Sequence, residues 1–312
     1  MKFYIKKICT LILTLFLVMF LTFSAFAIIP GDSALSSLGD DATKEEIEAL
    51  RSERGLDRPF LSRFLSFAKG IFTGDAGQSY KYGTSVSGLI ADRLPVTLFT
   101  ALFAILIIIA VSFPLGIFAA RFRNSIIDPV LTFITQGFMA VPDFFMGIII
   151  TYVFGLLLKW FVPGGYVSYN ESFRGFLSYL VWPALAIALP KIAMLARLLK
   201  SSIQKEMGKD YVRTARSKGN SETRVLIKHV LKNAMIPVIT FMGMMFAEVL
   251  AGSIVVEQVF SLPGLGRLLV TEISYRDYPV VQAIMLYIAF IVILMNFLVD
   301  MAYKRLDARI EE

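Results

Sequence analysis

The chain has 312 residues, 56% of them hydrophobic and 18% charged, with a mean hydropathy of +0.69. Soluble globular domains are nearer half apolar and a quarter charged, so the composition argues against a water-soluble enzyme. The net charge of +7 does not mark a nucleic-acid binder, because Lys and Arg fall between long apolar runs and not on one polar face.

Six runs approach the roughly 20 residues needed to cross about 30 Å of hydrocarbon: 8–29, 96–120, 130–158, 176–199, 235–256 and 280–303. They are too long and too continuously apolar for barrel strands, and lipid offers a backbone no partners, so each is expected to be a helix. The first run follows Lys2, Lys6 and Lys7 and ends near Ala25-Phe26-Ala27, in the manner of a signal peptide. Its apolar core exceeds that of such a segment, so it reads as a retained helix.

Orientation follows the basic residues. A cytoplasmic N-terminus places Lys2, Lys6, Lys7, Arg121, Arg123, the dense set from Arg197 to Lys232, and Lys304, Arg305 and Arg309 on one side. The two short outer loops hold only Lys159 and Arg174, then Arg267 and Arg276. Both termini are therefore expected inside.

The outer segment 30–95 is too long for a plain connection. Thr43 with Glu46 reads as a capping box opening a helix through about Arg54, which Gly55 ends. A second amphipathic stretch, 60–72, sets Phe60, Phe64, Phe67 and Ile71 on one face, suited to lying on the bundle or at headgroup level. Gly70, Gly74 and Gly77 then punctuate a loop leading into 86–94 and the second span. The segment is either a structured cap or a docking surface for an external partner.

Between spans four and five, 200–234 reads as helix, break, helix. Ser202 to Lys218 is amphipathic and charged, Gly219-Asn220 makes the turn, and Ser221 caps a second helix with Val225, Leu226, Val230 and Leu231 on one side. This is either a basic helix held on anionic lipid or a compact projection into the cytoplasm.

Particular residues here carry a resemblance. Asp210-Tyr211-Val212-Arg213-Thr214-Ala215-Arg216-Ser217-Lys218-Gly219, followed by Arg224-Val225-Leu226 and Lys232-Asn233-Ala234-Met235-Ile236-Pro237-Val238, resembles the cytoplasmic signature of permease subunits of bacterial ATP-binding-cassette importers, in the dipeptide/oligopeptide/nickel family. Gly31-Asp32, Gly55-Leu56-Asp57-Arg58-Pro59, Gly74-Asp75 with Gly77-Gln78-Ser79, Arg93-Leu94-Pro95-Val96-Thr97-Leu98, Val255-Val256-Glu257, Phe260 through Gly266, Arg276 through Gln282 and Asp307-Ala308-Arg309 agree with it. The long segment after the first helix resembles the first of the two permeases in such systems. One departure stands out: where the general signature has Glu-Ala-Ala, this chain has Arg213, Thr214 and Ala215.

The resemblance implies an all-α integral membrane fold, a six-helix bundle of the type I importer permease architecture with an extended outer loop. It divides the chain into a first transmembrane helix (1–29), an extracellular or periplasmic segment (30–95), a five-helix core (96–303) with cytoplasmic coupling helices at 200–234, and a tail (304–312). It implies a transport subunit and not an enzyme, since the chain has no phosphate-binding Gly-x-x-x-x-Gly-Lys-Ser/Thr loop. ATP and Mg would be bound by two partner ATPases. A second homologous permease, a solute-binding protein and membrane lipid are the other partners, in the bacterial cytoplasmic membrane. Peptides are the leading cargo, with nickel or another small solute and an ion-coupled transporter as alternatives. Asp210, Tyr211, Arg213, Ala215, Arg216, Lys218 and Gly219 would form the ATPase-coupling elbow, Ala215 permitting close approach and Arg213, Arg216 and Lys218 reaching acceptors on the partner.

Charges inside the spans are expensive, so each needs a role. Glu248, near mid-span, points to the bundle interior by the pathway or to the partner permease, and Lys191 either snorkels toward the cytoplasmic end or stays inside. Met242, Met244 and Met245 read as an adaptable pathway surface or as ordinary packing. Pro114, Pro142, Pro183 and Pro190 are kinks or flexing points. Gly264-Leu265-Gly266 reads as a turn, and the lone His229 as a solvated or interface residue, which leaves no metal site.

Overall fold

The computed structural model describes residues 2–28, 38 and 42–306, and the motif residues Gly31-Asp32 and Asp307-Ala308-Arg309 lie outside them. Among the described residues the chain is almost wholly helical: α1 (Lys2–Ile28), α2 (Lys44–Glu53), α3 (Phe60–Thr73), α4 (Val86–Arg121), α5 (Ile127–Ala140), α6 (Asp143–Ile150, continued by a π-helical turn Thr151–Leu157), α7 (Phe173–Met207), α8 (Asp210–Ser217), α9 (Glu222–Val259), α10 (Leu265–Tyr275) and α11 (Tyr278–Leu306). Among the described residues five single helices are long and apolar enough to span a membrane: Ile5–Ile28, Val86–Arg121, Phe173–Met207, Glu222–Val259 and Tyr278–Val299.

The third expected span, in which the sequence marks Pro142 as a kink or flexing point, is broken there and not merely kinked. It is two helices, α5 and α6, bent by 102°. Val141 is extended and Pro142 follows, so the missing N–H and the restriction on the residue before proline end α5 there. Pro183, Pro190 and Pro237, in contrast, lie inside unbroken helices.

The chain forms two compact units, Met1–Thr97 with Pro263–Leu294, and Leu98–Leu262 with Met295–Glu312. In the first, Thr43 caps α2 as the sequence predicts: its hydroxyl accepts from Glu46 N–H, and its own N–H donates to Glu46 Oε2 at 2.8 Å. The apolar face of α3 lands on α1, where Phe64 is buried with Met19, Phe23 and Leu286, and Phe67 stacks on Phe23 at 5.5 Å. Burying such a ring contributes about 1.5–3 kcal/mol, which fixes α3 along the first span. Gly74, at φ +81°, ends α3 in the left-handed region that glycine tolerates best. The segment after Pro263 is a helix and not merely a turn: Leu265 N–H donates to Thr97 Oγ1 at 2.9 Å, and this bond satisfies one of the orphan amides of α10.

In the second unit α7 is the spine, packed by α5, α6 and α9. Gly116 of α4 faces Ala196 and Leu199 of α7 so closely that a Cβ there would meet the Ala196 carbonyl oxygen at 2.9 Å.

Candidate functional site

The elbow between α7 and α9 differs from the predicted pair of helices in two ways. The stretch from Ser202 to Lys218 is broken at Gly208, a poor helix former: Ser202 to Met207 belong to α7, and α8 begins at Asp210. The second helix does not stop before the fifth span. Ser221 accepts from Arg224 N–H at 3.4 Å, and the helix runs on through a π-helical turn, Val225–Val230, into the membrane-spanning part of α9.

Glu206, at the end of α7, clamps the Gly208 break from both sides. Lys209 Nζ lies 2.6 Å from Glu206 Oε1, and the Tyr211 hydroxyl donates to Glu206 Oε2 at 2.7 Å. The Glu206 hydrogen bond holds the Lys209 ammonium above its ordinary pKa, while burial leads in raising that of Tyr211. Val212 and Ala215, three apart and so on one helical face, are buried where α8 packs on the 225–230 turn, with Val225, Leu226 and Val230. The small side chain of Ala215 is buried where α8 seats on its own chain. Arg216 is likewise engaged internally: Nε and Nη2 donate to the two carboxylate oxygens of Glu222 at 2.8 and 3.0 Å.

Gly219, at φ +79°, makes the turn, and nothing within 4 Å would oppose a Cβ there, so its requirement is conformational and not steric. Asn220 Nδ2 donates to the Ala215 carbonyl at 2.9 Å and closes the corner. Arg121, at the end of α4, donates to Thr223 Oγ1 at 2.8 Å and braces it from below. Exposed on the elbow are Asp210, Arg213, Lys218, Arg224 and Lys228, and with them Ile227, which is 59% exposed. The sequence reading missed Ile227, although its place between buried Leu226 and exposed Lys228 marks the helix face opposite the apolar one.

At mid-length of α7 the buried Lys191 does not snorkel. Its Nζ lies 2.5 Å from Asp143 Oδ2 at the start of α6, and a Cβ built on Gly252 of α9 would collide with that same oxygen. The break at Pro142 exposes a helix N-terminus where a carboxylate is favoured, and Lys191 neutralises it. Sequence reasoning named Lys191 but missed its partner. On α9, Glu248 is exposed on the surface of the chain, not turned into its own bundle. Met245 is buried and borders a small apolar gap with Ile105, Ile108 and Val249.

Long apolar helices joined by a capped basic elbow are the frame of a multi-pass helical membrane protein. The model of the binding-protein-dependent transport system inner membrane component matches residues 112–312, and that of the N-terminal part of such components matches 1–102. The chain belongs to this family. It is 40% identical over 306 residues, 98% of each chain, to a protein named as a peptide transport system permease in Brucella abortus. It is 37% identical over 294 residues, 93% of each chain, to the oligopeptide transport system permease protein AppB of Bacillus subtilis. It is 37% identical over 310 residues, 99% of each chain, to the glutathione transport system permease protein GsiC of Escherichia coli O6:H1.

Proposed function

We propose that this chain is one of two paired permeases of an ATP-driven importer that takes up short peptides delivered by a solute-binding protein, with its elbow seated on an ATPase subunit at the cytoplasmic face. The observation that carries this is the elbow itself. Hydrogen bonds from Glu206, Asn220, Glu222 and Arg121 tie its parts together, while Arg213, Lys218, Arg224, Lys228 and an isoleucine are left exposed. A projection tied together in this way, with basic and apolar side chains exposed, suits a protein groove and can transmit its motion to α9, with which it is continuous.

The peptide class rests on the names of the similar permeases. Glu248 supports the paired permease: an exposed carboxylate within a spanning helix costs up to about 2.5–3.5 kcal/mol in lipid, which a second permease or an aqueous path would relieve. ATP and Mg belong to the ATPases in this scheme, and the chain sits in the bacterial cytoplasmic membrane with both termini inside.

The test is cross-linking in the assembled complex. With Cys9 replaced by Ser, Lys218→Cys is expected to cross-link to an ATPase subunit and to lose that reactivity when the ATPases are stripped away. Labelling by a lipid-borne reagent alone, with no cross-link, would assign the elbow to the membrane surface instead.

A further inference from the structure

Three arginines after α1 take no part in the elbow or the spans, yet they line one chamber. It lies within the first compact unit and measures about 600 Å³, in the range of small-molecule sites. The C-terminal end of α1, the end of α2, one face of α3 and the start of α11 bound it.

Some of its polar groups are engaged, Asp75 Oδ1 accepting from Gly77 N–H at 3.0 Å, and others are not; Glu53, Arg58 and Asp75 stand at its exposed edge. Arg54 is held, donating to the Tyr80 carbonyl at 3.2 Å with its guanidinium carbon 4.1 Å from the Tyr80 ring centre. Arg58, folded over Gly55, and Arg63, 5.9 Å from the Phe23 ring centre, have no hydrogen bond or ion pair among the described residues. Gln282 lines the same chamber at 8% exposure, and its amide too has no partner among the described residues. The Tyr278 hydroxyl, also in the lining, is buried without one. A buried hydroxyl left unpaired is unfavourable, and the Gln282 amide in the lining has its hydrogen bonds still to make, so the chamber suits a ligand that hydrogen-bonds. Planar guanidinium forks match carboxylate, and the carboxylates of Glu53 and Asp75 in the same lining supply the opposite sign.

We propose that this chamber binds a short zwitterionic peptide, with the terminal carboxylate on Arg58 and Arg63, backbone amides on Gln282 and Tyr278, and the terminal ammonium toward Glu53 and Asp75. The assignment rests on the reading of the chain as a peptide-importer permease and deepens it: the permease itself holds cargo, at a place distinct from its spans' mid-depth charges. A phosphate would suit the same arginines, so the experiment separates the two sources.

The complete complex, in nanodiscs of neutral lipid and without binding protein, is assayed for equilibrium binding of radiolabelled tri-alanine and of its C-terminal amide. The wild type is expected to prefer the free acid by about tenfold or more, the worth of one charge-assisted hydrogen bond. The Arg58→Gln/Arg63→Gln variant should lose that preference, and Gln282→Leu should weaken acid and amide alike. Subunit stoichiometry and thermal stability report whether each variant is folded. Equal binding of acid and amide to the wild type, or a preference that survives in the arginine variant, overturns the proposal. So does displacement of tri-alanine by phosphatidylglycerol or inorganic phosphate with loss of co-purified anionic lipid in the arginine variant, which would make the chamber a phosphate or headgroup site. Uptake of short peptides by the wild-type complex with its binding protein is measured alongside. Its absence sinks the importer reading, whereas uptake without acid-selective binding sinks only the chamber.

Discussion

The Ser79 hydroxyl donates to Asp277 Oδ2 at 2.5 Å, joining residues 198 apart in the sequence. Both are buried, and the same oxygen accepts the Lys81 N–H at 3.1 Å. One turn further back, Glu272 Oε1 accepts the Tyr82 hydroxyl at 2.9 Å and meets Lys81 Nζ at 3.5 Å, while that ammonium lies 3.4 Å from the Tyr275 ring centre. Two motif stretches, around Ser79 and around Asp277, are thus one structural knot at the α10–α11 junction. Asp277→Ala would strand the buried Ser79 hydroxyl, worth about 1–3 kcal/mol, and take the acceptor from the part-buried Lys81 amide. It is expected to lower the thermal unfolding midpoint of the purified complex by several degrees, and by more than Ser79→Ala, which leaves Asp277 its Lys81 contact. Equal midpoints for Asp277→Ala and the wild type would show the knot to be incidental.

The Asp143–Lys191 pair makes a sharper prediction, because removing one member leaves a charge at membrane depth. Lys191→Met alone should destabilise the bundle by about 3–5 kcal/mol, seen as poor recovery from detergent and a lowered midpoint. Asp143→Leu in the same chain should restore much of the loss. A double variant as unstable as the single one would mean that Lys191 matters for something other than neutralising Asp143. Gly252→Ala, which pushes on the same carboxylate oxygen, should reproduce part of the single variant's loss.

How much of this was visible beforehand depends on the range of the interaction. The spans and the Thr43–Glu46 box are legible because one is set by composition and the other by residues three apart. The four aromatic and aliphatic positions of α3 were readable for the same reason. Pro142 marked the place of the bend but not its size, 102°, since hydropathy carries no direction. Asp143 was not legible as the partner of Lys191, a pairing over 48 residues that only the packing of α6 on α7 brings about. The Arg216–Glu222 pair and the seating of Ala215 were likewise beyond a short-range pattern, which shows that a side chain is small or charged but not what it meets. The chamber lined by Arg58 and Gln282 was hidden for the same reason, its walls coming from four separate helices.

The capping box carries a pH dependence outside the membrane. Hydrogen bonds from the Thr43 backbone and then its side chain hold the Glu46 carboxyl below the usual range for glutamate. A depressed carboxylate contributes stability above its unfolded pKa, and that contribution is lost as the pH falls through the folded value. The start of α2 should therefore fray only in acid, below the ordinary glutamate range. Amide hydrogen exchange at Glu46 and Ile47 should quicken there in the wild type, after correction for intrinsic rates. Glu46→Gln should show no such acid step, and an identical step in that variant would assign it to another group.

Gly219 tests the lever most directly. Its backbone is left-handed and its surroundings are open, so replacements should rank by conformational tolerance and not by size. Asn, which enters that region with the least penalty after glycine, should preserve coupling between substrate and ATP hydrolysis, whereas Val, branched at Cβ, should nearly abolish it. Ala should fall between them despite being the smallest of the three. Each variant should still insert, because Gly219 lies outside the spanning stretches and the Glu206 clamp and the Arg121–Thr223 brace are untouched. The measurement is substrate-stimulated ATP hydrolysis by the reconstituted complex, normalised to the amount of permease assembled. A ranking by volume, with Ala best and Asn no better than Val, would mean that Gly219 is required for close approach of the ATPase surface. Full coupling in all three would remove the corner from the mechanism.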